Sequence, residues 1–390
     1  MKICFVGSSN TIFSHSYLKL FNELSDELSF IDIGKECSQS IEFLPKENIL
    51  RLYEEKQKAS STSRLKQFLS FFKLDRNPFF IFFLSLVESF KNLDSSKAER
   101  MERFLLSANP SIIVYFWSTT VRTEKKAIDS ISLLGEVKSV LIINTYPVRS
   151  NVCYESRYLA SYFDRAFFRG FDAISFPSKE MKFFFDKNNI KYKQSQVLPD
   201  FLTSDFSKTI YSSNDPRHIP GKKKVAFLGN TNFNSRTIDN VYMDLLKISS
   251  LGIEVWLQES TDILDLLESQ PNLNIKTFKP FSYAEMLAGE LSDFLKMFDG
   301  ILMIYNGINN ARTATGFPTR FALSLYSEKP ILIKSNTFIS LESHFRDIVI
   351  PYENEKDLLR KLNLYNYKCP NFPLHLEDYS KQWKEFLVSV

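Results

Sequence analysis

The stretch KICFVGSSN, residues 2–10, opens the chain with an apolar run that ends in a loop of small polar residues. A continuous apolar run is typical of a strand that is covered on both faces of a parallel sheet. A helical pattern follows at about 16–24, and a second short strand follows at 29–33. This β-loop-α-β beginning predicts a Rossmann-like α/β unit.

The same pattern restarts at KVAFLGN, residues 224–230. In each half, apolar runs alternate with charged helical stretches, which predicts two doubly wound parallel sheets. The further predicted strands are 111–117, 140–144, 173–176, 196–198, 254–257, 273–278, 300–304, 330–333 and 348–350. The further predicted helices are 94–106, 122–134, 154–168, 178–188, 237–251, 283–297, 319–326 and 355–364.

The segment 205–223 interrupts this alternation. It is rich in Ser, Pro and charge and has no periodicity, so we interpret it as an interdomain linker. The prediction is therefore a first domain over 1–204 and a second over 224–370, two similar-sized Rossmann-like domains facing a cleft. Residues 371–390 are predicted to form a C-terminal helix.

Composition excludes several classes of protein. The chain has 390 residues with 49 Lys+Arg and 45 Asp+Glu, a formal charge of +4, and it is 44% hydrophobic. This is a globular composition, and the charge does not indicate nucleic-acid binding. The 37 Phe residues are unusual beside 11 Gly. They reflect either codon bias or an apolar surface that contacts lipid.

The cysteines and histidines indicate no metal or cofactor. There is no CxxC pair and no HExxH or HxH spacing. The N-terminal residues lack the apolar core and cleavage site of a signal peptide, so a reducing cytoplasmic location is expected.

The densest Phe segment is 71–90. Its apolar core, NPFFIFFLSLV at 77–87, is too short to span a bilayer. One interpretation is a core helix that starts at Pro78. The other is an in-plane amphipathic segment that touches the inner face of a membrane.

The loops after strands are the expected ligand sites, because ligands bind at the carboxyl ends of parallel strands. The first loop, Ser8-Ser9-Asn10, is not the dinucleotide fingerprint GxGxxG. His15 lies just beyond it, and there a histidine serves as a general base or caps the helix. Asp32 is the alternative base.

Two loops of the second half suit phosphate groups. The first contains Gly229, Asn230, Thr231, Asn232 and Arg236, with backbone donors, amides and one guanidinium. Its other interpretation is an Asx-rich turn. The second loop is long and precedes a helix. Its candidate residues are Tyr305, Asn306, Arg312, Gly316, Phe317, Pro318, Thr319 and Arg320.

The second half resembles the nucleotide-sugar-binding half of GT-B-fold glycosyltransferases. In many of them a Gly/Asn-Pro-Thr-Lys opening leads to a helix and a Gly-Lys-Pro-Val-Val strand. Pro318-Thr319-Arg320 and Lys329-Pro330-Ile331 stand at those places here. The segments 173–200 and 379–383 are similar to the end of their first domain and to their last helix, which crosses back to that domain.

One residue departs from the family pattern. Many retaining members have a glutamate that holds the ribose hydroxyls where Leu323 stands here. A leucine accepts no hydrogen bond, so an inverting reaction or a different donor, such as a CMP-linked acidic sugar, comes into consideration.

The resemblance implies a metal-independent glycosyl transfer from a nucleotide-sugar donor, a co-substrate, to a glycan or lipid-linked acceptor in surface polysaccharide assembly. Gln258 and Phe281 would lie near the base of the nucleotide, and His15 would take the acceptor proton. The acceptor would meet the Ser8–Asn10 loop, Tyr146 and Arg149. The alternatives are a nucleotide-sugar epimerase of the same fold and a non-catalytic sugar- or nucleotide-binding protein.

Overall fold

The computed structural model describes residues 1–34, 41–53, 78–147, 162–207, 223–229, 231, 241–270, 272–304, 319–334, 348–364 and 375–390. These residues form two compact units. The first contains Met1–Phe201 and Leu376–Val390, and the second contains the described residues between Leu202 and His375.

Within the described ranges, the first unit has one parallel sheet of 7 strands in the order β3-β2-β1-β4-β5-β6-β7. The strands are β1 (Lys2–Gly7), β2 (Glu27–Asp32), β3 (Ile49–Arg51), β4 (Ile112–Phe116), β5 (Lys138–Ile142), β6 (Ala173–Phe176) and β7 (Gln194–Val197). The helices are α1 (Ile12–Leu24), α2 (Pro78–Ser89), α3 (Ser95–Ala108), α4 (Arg122–Asp129), α5 (Asp164–Arg169) and α6 (Lys179–Lys187).

The second unit has a parallel sheet of 6 strands among the described residues, in the order β10-β9-β8-β11-β12-β13. The strands are β8 (Lys224–Phe227), β9 (Glu254–Gln258), β10 (Ile275–Phe278), β11 (Gly300–Met303), β12 (Ile331–Lys334) and β13 (Val349–Tyr352). Its helices are α7 (Tyr242–Ser250), α8 (Thr261–Ser269), α9 (Tyr283–Leu287), α10 (Glu290–Leu295), α11 (Thr319–Leu325) and α12 (Glu355–Leu364), and α13 (Ser380–Ser389) belongs to the first unit.

The core of the first unit is aromatic. The ring of Phe5 in β1 lies 5.9 Å from each of the rings of Phe21, Phe30 and Phe116. Trp383 of α13 is fully buried, and its ring meets Tyr17 and Phe21 edge-on at 5.5 and 5.6 Å. Much of the unusual Phe content is therefore interior packing.

The predicted fold class, two Rossmann-like doubly wound units, is confirmed. Several element predictions were wrong. The short strand β3 and the helix α8 were missed. The predicted helix 283–297 is two helices, because Gly289 adopts a left-handed φ of 85° between them. The predicted helix 122–134 ends as an α-helix at Asp129 and continues as a 3₁₀ turn, Ser132–Leu134.

The helix α2 spans Pro78–Ser89 among the described residues, and it is not a core helix. The side chains of Phe79, Phe83, Val87 and Phe90 are 74%, 56%, 43% and 73% exposed. No helix within the described ranges combines the length and the apolar character needed to cross a bilayer.

Candidate functional site

Strand order reverses once in each sheet. In the first unit the reversal falls between β1 and β4, and in the second it falls between β8 and β11. Ligands of doubly wound sheets bind outside the carboxyl ends of the strands at such a reversal. The loops after these four strands are therefore the candidate site residues.

The loop after β1 is held by Asp32 at the end of β2. The Asp32 carboxylate accepts hydrogen bonds from Ser9 N (3.0 Å), from Ser9 Oγ (2.6 Å) and from Gly34 N (2.9 Å). Both residues of the Ser9–Asp32 pair are buried. Asp32 therefore shapes the loop, and its oxygen atoms are already occupied, which argues against it as the alternative base.

His15 is the fourth residue of α1, one position beyond the first helical turn. Thr11 caps the helix, because its side chain accepts a hydrogen bond from Ser14 N at 3.1 Å. The half-buried His15 ring meets the edge of Phe43 at a centroid distance of 5.4 Å. His15 therefore lies on the helix that follows the loop after β1.

Two residues after β4 were missed by the sequence reasoning. Trp117 and Ser118 both have left-handed backbones, with φ of 79° and 52°. Such a conformation costs about 1–3 kcal/mol in a non-glycine residue and is found mainly at functional sites. The Trp117 N–H donates to the Ile142 carbonyl at 3.0 Å, and Thr120 Oγ1 donates to the Trp117 carbonyl at 2.6 Å. These bonds fix the Trp117 backbone at the edge where strand order reverses, and the side chain there is half-buried.

Two side-chain oxygen atoms at the same edge remain unused. Among the described residues, Asn10 Oδ1 and Ser118 Oγ are buried and have no hydrogen-bond partner. They follow the adjacent parallel strands β1 and β4. A buried acceptor without a donor is costly unless a ligand supplies one.

Tyr146 was predicted at the acceptor side, but it lies in the core of the first unit. Its hydroxyl donates to Asp164 Oδ2 at 2.8 Å, and Arg122 pairs with the other carboxylate oxygen. Its ring packs edge-on against Phe168 and Phe185. Burial raises the pKa of Asp164, and the Arg122 charge opposes that shift. The Tyr146 ring and hydroxyl are thus enclosed in a structural cluster, which argues against the predicted contact with an acceptor.

Asp200 forms a second buried polar cluster after β7. Its carboxylate accepts from Tyr17 of α1 at 2.5 Å and from Asn144 Nδ2, after β5, at 3.1 Å. Burial raises the pKa of Asp200 to about 7, although both hydrogen bonds oppose the shift. The cluster ties α1, which carries His15, to the carboxyl ends of two strands.

In the second unit, Gly229 and Arg320 lie against each other at the end of β8. The Arg320 guanidinium is 5.7 Å from the centre of the Phe227 ring. A Cβ on Gly229 would lie 2.7 Å from Arg320 Nη1 and 2.1 Å from the Phe227 ring. Only glycine fits, and its small size lets the cation reach the strand end where strand order reverses.

The other described candidates for donor binding have the following surroundings. Thr231 Oγ1 donates to the Gln258 carbonyl at 2.8 Å, which links the loop after β8 to the last residue of β9. Phe281 is partly buried against Phe278 and Phe294, at ring distances of 6.2 and 5.4 Å. Thr319 is exposed at the start of α11.

The remaining candidates lie outside the described residues. They are Arg149, Asn230, Asn232, Arg236, Tyr305, Asn306, Arg312, Gly316, Phe317 and Pro318. Within the part of the chain that the structure describes, no group of three or more His, Cys, Asp or Glu side chains could hold a metal ion.

Two parallel sheets, each with a reversal of strand order, define the class of proteins with two Rossmann-like units. Comparison with solved structures identifies the fold more specifically. No protein-family model matches the sequence, and no curated protein matches it. The chain is similar to the lipopolysaccharide outer core galactosyltransferase WaaB in its apo form, with a TM-score of 0.57 and 10% identity over 100% of this chain and 99% of that one.

A second similar structure is Anabaena HepE in complex with UDP and glucose, with a TM-score of 0.57 and 10% identity over the full length of both chains. A third is the UDP-GlcNAc 2-epimerase from Methanocaldococcus jannaschii, with a TM-score of 0.51 and 10% identity, also over both full lengths. The chain has the GT-B fold. The resemblance predicted from the sequence is confirmed at the level of the fold.

Proposed function

We propose that the chain is a glycosyltransferase that moves a sugar from a nucleotide-sugar donor to a glycan or lipid-linked acceptor in surface polysaccharide assembly, without a metal, at the cytoplasmic side of the membrane. The observation that carries this proposal is the Gly229–Arg320 pair at the strand-order reversal of the second sheet. The full-length similarity to the transferases WaaB and HepE supports it.

The donor side is the second unit. A guanidinium forms charge-assisted, paired hydrogen bonds with phosphate oxygens, so Arg320 suits a diphosphate held beside Gly229. In the transfer, the bond between the anomeric carbon and the diphosphate oxygen breaks, and its electron pair stays on the diphosphate. Arg320 would stabilise that growing negative charge.

The acceptor side is the first unit. The acceptor hydroxyl oxygen forms the new bond to the anomeric carbon, and its proton passes to His15 as general base. The face of the Trp117 indole suits the C–H groups of a sugar ring, because the ring face carries partial negative charge. Asn10 Oδ1 and Ser118 Oγ would accept hydrogen bonds from sugar hydroxyls.

The test is thermal unfolding with UDP, GDP, CMP, dTDP and NAD, beginning with UDP because HepE is solved with it. A ligand at 100 times its Kd stabilises the folded state by about 2.7 kcal/mol. We expect a clear shift with one nucleotide and a loss of affinity of about tenfold or more in Arg320→Ala. Arg360→Ala, which removes an exposed cation of the same unit, is the matched control.

Turnover of the nucleotide-sugar whose nucleotide produces the shift separates the alternatives. An epimerase, supported by the similarity to the Methanocaldococcus enzyme, converts the nucleotide-sugar to its epimer without any acceptor. A binding protein shows the shift but never turns the ligand over. If no nucleotide produces a shift, the transferase proposal is wrong, while the fold stands.

A further inference from the structure

Helix α2 carries an apolar stripe on one face. Phe79, Phe83 and Val87 are spaced by four residues, and Phe90 follows the last residue of the helix. Their side chains are 43–74% exposed. Residues three and four apart lie on the same side of a helix, so the four form one continuous ridge, called here the α2 ridge. Soluble proteins rarely expose a contiguous set of large apolar side chains without using it.

The opposite side of α2 is attached to the first unit. The Phe82 ring lies 4.7 Å from the Phe163 ring and 5.8 Å from the Tyr162 ring. Lys126 Nζ bonds to the Ser89 carbonyl at the end of the helix. The helix is therefore held by its inner face, and the ridge points outward.

Two cations among the described residues lie near the ridge. Lys91 is exposed directly after Phe90, and the guanidinium of Arg165 lies 5.9 Å from the Tyr162 ring. Glu88 is exposed as well, but it lies on the other side of α2 from the ridge, since each residue advances by about 100°.

We infer that the α2 ridge inserts into the surface of an anionic lipid bilayer, with α2 lying in the plane of the membrane. An apolar helix face with flanking cations fits a surface of acyl chains beneath negative headgroups. The half-exposed Tyr162 suits the headgroup level, where amphipathic rings collect. A second copy of the chain fits less well, because a symmetric contact would bring the Lys91 and Arg165 cations of both copies to the same interface. This inference does not depend on the proposed transferase activity.

The experiment is co-sedimentation with vesicles of phosphatidylcholine and phosphatidylglycerol, compared with vesicles of phosphatidylcholine alone. The test variant is Phe79→Ser/Phe83→Ser/Phe90→Ser. The matched control is Leu106→Ser/Leu133→Ser/Phe183→Ser, which removes three exposed apolar side chains elsewhere in the same unit. Both variants are checked by thermal unfolding and by the nucleotide-induced shift, which reports on the second unit.

We expect the native chain and the control to sediment with the mixed vesicles. The bound-to-free ratio of the test variant should fall at least about tenfold, with its nucleotide shift retained. Native protein that stays in the supernatant with mixed vesicles would overturn the inference, as would an equal loss in the control. Concentration-dependent self-association that the test variant alone abolishes, without vesicle binding, would assign the ridge to a second copy instead.

Discussion

Gly229 is a position where the absence of a side chain shapes the site. Any Cβ would collide with the Phe227 ring and displace Arg320. Gly229 and Arg320 were both predicted as donor residues, but the sequence separates them by about ninety positions. Their contact exists only because β8 and β11 are neighbours in the sheet and α11 follows the loop after β11.

His15 carries the first residue-level prediction. Replacing it by alanine removes the proposed base, so turnover should fall by about 10²–10⁴. The nucleotide-induced thermal shift should persist, because it reports donor binding by the second unit. The measurement is nucleotide release in the presence of acceptor, with Lys19→Ala on the same helix as control. Unchanged turnover would remove His15 from the mechanism.

Trp117 carries the second residue-level prediction, and it concerns strain. At a φ of 79°, glycine is favoured over alanine by about 1 kcal/mol, since only a side chain meets the steric penalty. Trp117→Gly should therefore be more stable than Trp117→Ala in urea unfolding. Both variants should raise the KM for acceptor.

The control for this comparison is Ala127→Gly, within α4. Within a helix the ranking of the two residues is the opposite, so the Ala127→Gly protein should be less stable than the native protein by about 0.5–1 kcal/mol. If Trp117→Gly and Trp117→Ala have equal stability, the backbone at this position is not strained.

Among the secondary-structure elements, α1 and α13 depend on each other. Trp383 is fully buried against Tyr17 and Phe21 of α1, so the last helix completes the core of the first unit. Tyr17 in turn donates to Asp200. The helix that carries His15 is therefore positioned by residues from the opposite end of the chain and from the segment after β7.

The Asp200 cluster gives the prediction at this level. Because burial raises the pKa of Asp200 to about 7, the folded state binds more protons than the unfolded state between about pH 4 and pH 7. The contribution of Asp200 to the free energy of unfolding is fully present below its pKa in the unfolded chain. That contribution is lost as pH rises through its pKa in the folded protein. The loss is at most about 1.4 kcal/mol per pH unit.

Asp200→Asn keeps an acceptor for Tyr17 but does not titrate. The free energy of unfolding, measured in urea between about pH 4 and pH 7, should fall less steeply with pH in this variant than in the native chain. Asp186→Asn, at a partly exposed pair with Tyr192, is the control. Parallel pH profiles for native and Asp200→Asn protein would mean that Asp200 stays ionised.

For the molecule as a whole, the chain passes from the first unit to the second at Leu202. The first unit ends at Phe201, and the Leu202 N–H and carbonyl bond the Tyr326 hydroxyl of the second unit at 3.0 and 2.9 Å. Leu202 therefore packs within the second unit before the predicted linker begins. The residues from Leu376 onward belong to the first unit.

Periodicity and apolar runs along the chain were sufficient to predict two parallel α/β sheets and most of their elements. These signals are local, because an alternating series of buried strands and amphipathic helices has few other ways to bury its apolar surface. The same signals missed β3, which spans only Ile49–Arg51, because so short a run has no measurable period. The same signals also predicted one helix through Gly289, because the apolar spacing continues past the point where the first of the two helices ends.

Tertiary structure alone decided which candidates meet and which are buried. Tyr146 and Arg320 both follow apolar strands in the sequence, yet one is enclosed in the core and the other lies beside Gly229 at the strand end. The sequence also did not predict the strain at Trp117 or the outward face of α2, because both depend on neighbours that are distant in sequence. A residue's type and spacing specify the element in which it lies. Whether its side chain reaches a ligand, a lipid or the interior depends on the elements packed around it.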